Sequence, residues 1–231
     1  MKQTWRSGIK HDCSAVMELT KGKNGYINGL GETVHLEERY IYPLVKSSDV
    51  AKDNYQWNNR YMIVTQSKIG ESTDIIKNTS PNLWNYLESH QDCFTKRKSS
   101  IYKNKPAYSI FGVGNYTFKP FKVAVSGLYK KLQFVVLIPI MDKPVIPDDT
   151  VNFIGFDFED EANTICELLS SNPAKQFFHS YIFWDSKRPI TVHLLNKLDL
   201  NKLAKDLNVN SKSCKHYSYP VKPLYSEGLL F

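Results

Sequence analysis

Phe121-Lys122-Val123-Ala124-Val125, Gln133-Phe134-Val135-Val136-Leu137-Ile138 and Val151-Asn152-Phe153-Ile154-Gly155-Phe156 are three short β-branched and aromatic runs, and an acidic stretch follows the last of them. Runs of five or six such residues, punctuated by Gly127 and Pro139, read as buried strands, because helices need ten or more residues. Asp157 and Asp160, three residues apart, resemble a capping pair for a helix running to about Ser170. Asn172-Pro173 opens a second helix through Phe177, Phe178 and Tyr181. This grammar predicts a mixed α/β (α+β) fold with twisted mixed or antiparallel sheets and helices concentrated in the C-terminal half.

Upstream, the first ninety residues read as short strands joined by turns. Asn28-Gly29 is a hairpin-type turn, and Tyr40 to Val45 and Tyr61 to Thr65 are strand candidates. Ser80 is placed as an N-cap with Pro81 at the first helical position. Leu83, Trp84, Leu87 and Phe94 then recur at helical spacing up to Lys96-Arg97-Lys98, and Trp84 and Phe94 are assigned to the core. Tyr108 to Val113 reads as one more strand, with Gly112, Gly114 and Gly127 at turns or bulges. No internal repeat or Gly/Ser-rich linker divides the 231 residues, so 1–231 is read as one domain, and 42% hydrophobic content can fill its core.

Charge is distributed unevenly. Between Lys96 and Lys131 lie nine lysines and arginines and no aspartate or glutamate, interleaved with Tyr102, Tyr108, Phe111, Tyr116, Phe118, Phe121 and Tyr129. The whole chain carries only +7, so the remainder sums to about −2. Between Asp148 and Asp185, eight carboxylates face one lysine, which marks that half as the side turned away from any polyanion. A one-signed segment repels itself, and a polyanion whose counterions are released on binding relieves that repulsion. DNA or RNA is therefore the first partner to consider.

Other classes find little support. The longest apolar run, Phe134 to Met141, has eight residues, far short of the ~20 that span a bilayer. The first residues lack the apolar stretch of a secretory signal, so the expected compartment is the cytoplasm, with no membrane partner. Cys13, Cys93, Cys166 and Cys214 are too scattered for a disulfide framework. His11-Asp12-Cys13 and Cys214-Lys215-His216 lack the spacing of a structural zinc site. Gly112-Val113-Gly114 has neither the third glycine of a dinucleotide fingerprint nor a Gly-Lys-Ser/Thr. Asp148, Asp185 and Lys187 mimic the carboxylate and lysine set of a Mg²⁺-dependent nuclease and supply the runner-up reading, although they also fit turns and links. No two prolines are adjacent, so the Asp/Asn-Pro-Pro-Tyr loop that holds an extruded adenine is missing, as is a glycine-rich turn for S-adenosylmethionine.

Read in order, several elements resemble the C-terminal target recognition (TaqI-like specificity) domain of adenine-N6 DNA methyltransferases and fused restriction-modification enzymes. They are Trp5-x-x-Gly8-Ile9-Lys10, Tyr42-Pro43-Leu44-Val45-Lys46-Ser47-Ser48-Asp49-Val50, Leu168-Leu169-Ser170-Ser171-Asn172-Pro173 with Phe177, and Lys187-Arg188-Pro189-Ile190 with Leu198-Asp199-Leu200. Their order and spacing carry the likeness. The resemblance implies sequence-specific recognition of double-stranded DNA beside a methyltransferase catalytic domain or subunit outside this chain, which flips and methylates the adenine. It implies no catalytic residue and no cofactor here, S-adenosylmethionine belonging to that other domain.

On this reading Lys96, Arg97, Lys98, Lys103, Lys105, Lys119 and Lys122 mostly contact phosphates. Arg97, Asn104, Asn115 and Tyr116 are expected to reach base edges, and Tyr102 joins the same surface. Lys46, Ser47, Ser48 and Asp49 are a second contact loop by resemblance alone. An RNA-binding or structural adaptor protein would share the basic surface.

Overall fold

A computed structural model of the chain describes residues 4–209. One sheet is antiparallel throughout, in the order β1 (Arg6–Ser7), β10 (Val151–Phe156), β7 (Phe121–Ser126) and β8 (Phe134–Leu137). The three runs that decide the fold are its three long strands, paired so that Ala124 lies opposite Phe153 on one side and Val135 on the other. The second sheet has the order β4 (Thr33–Val34), β3 (Gly25–Asn28), β2 (Glu18–Gly22), β6 (Arg60–Ile63), β5 (Ile41–Val45) and β9 (Ile146–Pro147). Only its last pair, Leu44 beside Ile146, is parallel. The architecture is mixed α/β.

The three long strands of the first sheet are packed on both faces, which explains why they are apolar runs instead of alternating ones. Val123, Val125, Ile154 and Phe156 pack with Ala162, Leu169 and Phe178 of helices Glu159–Ser170 and Asn172–Tyr181. Ala124, Leu137, Val151 and Phe153 face the other way, onto Val45, Val50 and Val145. The six-stranded sheet is covered by helices Ile75–Thr79, Pro81–Ser89 and Gln91–Thr95, whose Ile76, Leu83, Leu87 and Phe94 pack with Leu19, Ile41, Tyr61 and Ile63. Each fully buried side chain of this size stabilises the fold by about 1.5–3 kcal/mol relative to exposure.

The two sheets are tied where the segment after β1 crosses the chain near Pro147. Gly8 N donates to the Val151 carbonyl at 3.0 Å and Ile9 N to that of Pro147 at 2.9 Å. A Cβ at Gly8 would sit 2.2 Å from the Pro147 carbonyl oxygen. Gly112, at φ +74°, packs on Gly8 in turn, its own added Cβ falling 2.4 Å from the Gly8 carbonyl oxygen. Only glycine permits this approach.

Several expected elements differ in detail. Tyr108 to Val113 forms no strand: Tyr108 has φ +58°, and one antiparallel bridge, Lys10 to Phe111, is all the pairing the segment makes. Its apolar character serves burial, with Tyr108 packed edge-on against Trp84 and Phe94. Those two rings sit in or against the core, as assigned. The helix expected to run through Phe94 breaks at His90. Pro81 does occupy its first position, but the buried Ser80 hydroxyl does not cap it. The Glu37 carboxylate does so instead, accepting from Asn82 N and Leu83 N at 2.9 Å each. Phe158, not Asp157, is the N-cap residue of the next helix, while Ser171 caps the following one by accepting from Ala174 N.

Candidate nucleic-acid interface

Arg97 organises the basic loop that leaves helix Gln91–Thr95. Its Nη1 donates to the Ser109 carbonyl at 2.7 Å and the His11 carbonyl at 3.4 Å, while Nε donates to that of Phe94 at 3.2 Å. The guanidinium lies over the Tyr102 ring, 3.7 Å from its centroid, and Tyr102 meets Phe111 edge-on. Burial lowers the Arg97 pKa from its ordinary value, and neighbouring groups oppose that shift. Arg97 is therefore a structural bracket and not a free base-reading side chain.

With Arg97 holding the loop from beneath, Lys96, Lys98, Lys103, Asn104 and Lys105 are all exposed. None of the four lysines has an ion-pair partner among the described residues. Lys96, Lys98 and Ser99 join Lys10 and Asp12 around an open cleft of about 540 Å³, in which Lys10 and Asp12 pair at 2.9 Å. This surface is cationic and solvated, suited to phosphate contact.

The remainder of the basic run is otherwise employed. Lys119 pairs with Asp157 at 2.5 Å, Lys130 with Asp185 at 3.2 Å and Lys131 with Asp53 at 2.5 Å. Acidic residues distant in sequence thus fold onto a window that contains none. Lys122 corrects the expectation of a phosphate contact more sharply, because it is fully buried, on the inner face that β7 turns toward Val45 and Val50. Its Nζ donates to the Lys119 carbonyl at 2.6 Å and lies 6.0 Å from the Phe153 ring centroid. Burial without a counter-ion pushes its pKa down to about 7. Asn115 is exposed, whereas Tyr116 packs on Phe153 beneath the Arg6 guanidinium.

The Lys46 to Asp49 loop is also largely turned inward, which corrects its reading as a contact loop. Ser47 is buried, its amide and hydroxyl bonded to Thr150. Buried Asp49 accepts from Lys46 N at 3.0 Å, Asn58 Nδ2 at 2.5 Å and Arg60 Nη1 at 3.4 Å. Lys46 Nζ holds both oxygens of Glu18 at 2.7 and 2.8 Å, and Ser48 alone stays half-exposed without such a role. His11 completes the network: its Nδ1 accepts from Cys13 N, so the ring proton is on Nε2, which faces Glu18 at 3.4 Å. Burial alone would raise the Glu18 carboxyl, but the bonds from His11 and Lys46 outweigh it and hold the pKa below the usual value.

The nuclease set does not assemble around free oxygens. Asp148 is buried and accepts from the Thr150 amide and hydroxyl, with Lys46 at 4.0 Å, and exposed Asp185 is paired to Lys130. Among the described residues no three His, Cys, Asp or Glu side chains converge to hold a metal ion. Cys214 and His216 lie outside the described residues. No helix among those residues is long and apolar enough to cross a membrane.

One groove went unread in the sequence. Ser14, Glu18, Thr20, Ile27, Lys46 and Arg60 line an open depression of about 380 Å³ on the outer face of β2, β3 and β6. Its signal was Arg60, standing directly before the Tyr61 to Thr65 run.

The chain is 53% identical over 201 residues to the Type II methyltransferase M.NspV of Nostoc sp. (strain ATCC 29411 / PCC 7524). It is homologous to part of a Type II methyltransferase. The match covers 87% of this chain and 42% of that relative. No family model matches the sequence. A solved structure of the Type IIL restriction-modification enzyme MmeI in complex with DNA aligns with 80% of this chain and 22% of its own, at 10% identity and a TM-score of 0.47. That likeness is too distant to assign a function.

Proposed function

We propose that this chain is the target recognition part of a Type II adenine-N6 DNA methyltransferase or fused restriction-modification enzyme, binding double-stranded DNA for a catalytic domain located elsewhere. The observation that carries this reading is the loop of four exposed, unpaired lysines, Lys96, Lys98, Lys103 and Lys105, on a chain homologous to part of a Type II methyltransferase. Asn104 and Asn115 are the exposed amides available to bases. S-adenosylmethionine and the methyl-transfer chemistry belong to the catalytic domain, and the cytoplasm is the expected compartment.

The test is duplex affinity as a function of salt for the original chain and for the Lys96, Lys98, Lys103 and Lys105 to alanine variant. Each lost phosphate contact removes about 0.9 from the slope of log affinity against log salt. A fall of about 2 to 4 supports the reading. An unchanged slope removes this loop from the interface.

A further inference from the structure

The outer groove on β2, β3 and β6 has the makings of a base-reading site. Arg60 opens β6, where its register opposite Thr20 fixes the backbone and Trp57 Nε1 donates to its carbonyl at 3.0 Å. Trp57 is itself packed edge-on against Tyr61. The root of the side chain is thus fixed. Behind its head, buried Asp49 receives Nη1 at 3.4 Å, and Asp49 is held in place by Lys46 N and Asn58. One long contact occupies one of five guanidinium N–H groups, and the side chain remains 36% exposed in the groove. This is a fork aimed from a rigid strand and steadied by one buried carboxylate, the arrangement that precise readout requires.

The surroundings agree. Glu18 is the carboxylate that lines the groove, yet both its oxygens are taken by Lys46, and His11 faces one of them. Thr20 is exposed beside Arg60 across the strand pair. The lysine cleft is close by: Asp12 lines the cleft and Ser14 lines the groove. Two residues span at most about 7 Å, some two base-pair steps at ~3.4 Å each. The lysines and Arg60 thus line neighbouring depressions.

We infer that Arg60 is a specificity-determining residue that reads a guanine through its exposed guanidinium edge, with Asp49 as its positioning carboxylate. The inference rests on the proposal that the chain binds duplex DNA. Guanine is the base whose major-groove edge presents two adjacent acceptors, O6 and N7, to an arginine fork.

The experiment selects duplexes carrying a random 12-base-pair core on the full chain, and on its Arg60→Lys and Arg60→Ala variants, followed by sequencing and affinity measurement. Arg60→Lys keeps the charge beside Asp49 and removes the fork, so a folding defect in Arg60→Ala does not obscure the result. The original chain is expected to enrich a motif containing guanine. Both variants should lose preference at one guanine position and bind the selected duplex about tenfold to a hundredfold more weakly. For Arg60→Lys the salt slope should stay unchanged. An identical motif and affinity in Arg60→Lys would overturn the inference. So would an original chain that retains duplexes without enriching any sequence, an outcome that leaves DNA binding itself standing. Retention of no duplex at all defeats the proposed function first, and this inference with it.

Discussion

Arg97 joins two elements that are twelve residues apart, its Nη1 donating to the Ser109 carbonyl at 2.7 Å while its plane covers Tyr102 at 3.7 Å. A charged group bonded to carbonyls contributes about 1.5–3 kcal/mol, and the ring contact adds ~0.5–1 kcal/mol. Arg97→Ala should therefore lower unfolding free energy by about 2–4 kcal/mol in urea titration. Any loss of DNA affinity should follow from loop disorder, visible as proteolysis between residues 96 and 106. A stable, protease-resistant variant would show the bracket to be dispensable.

Lys122 makes stability depend on alkaline pH. Its folded pKa of about 7 lies below the unfolded value near 10.5. Between those values the unfolded chain binds more protons, so stability rises with pH across the window, and below it the penalty is complete and constant. Lys122→Met should raise Tm by about 5 °C or more at pH 7, and by much less at pH 10. Equal gains at both pH values would show that the lysine is not buried neutral.

Glu18 also makes stability rise with pH, but as a favourable contribution and in the acid range. Its folded carboxyl is held below the usual 4.5, so its contribution is complete above that value and disappears as pH falls through the folded pKa. Glu18→Gln should cost about 1–3 kcal/mol at pH 7, since the pair with Lys46 is only partly exposed, and the two proteins should converge in acid. Denaturant melts at pH 7 and pH 3 decide the matter; a constant difference would remove the ion pair as its source.

Lys119, Lys130 and Lys131 separate local charge from available charge. Each is already neutralised by Asp157, Asp185 or Asp53. Changing these three lysines together with their three aspartates to alanine should leave the salt slope of DNA binding within about 0.5 of the original. A fall of 2 or more would show that DNA displaces the aspartates.

The scaffold was legible because its periods are unambiguous. β7, β8 and β10 are buried on both faces and read as continuous apolar runs, and the two later helices repeat at helical spacing. Tyr108 to Val113 misled, because burial under helices and burial in a sheet leave the same composition. Net charge misled for a related reason: a window free of acids in sequence acquires them in space from Asp53, Asp157 and Asp185. Lys122 carried a clue in its parity, since it shares a strand face with inward-pointing Ala124. Arg60 offered none beyond its place at a strand start. Its orientation depends on Asp49, eleven residues earlier, and only the folded chain brings the two together.

The crossing of Gly8 beneath Pro147 and Gly112 is built from main chain alone. It behaves as a rivet whose fit is indifferent to every side chain around it. Lys10, two residues beyond Gly8, and the exposed Lys96, Lys98, Lys103, Asn104 and Lys105 can thus be exchanged without disturbing the join, provided Arg97 and Tyr102 stay as the bracket. A graft that imports a foreign loop should keep glycine at 8 and 112, whereas an alanine at either would prise the two sheets apart before any contact with nucleic acid came into play.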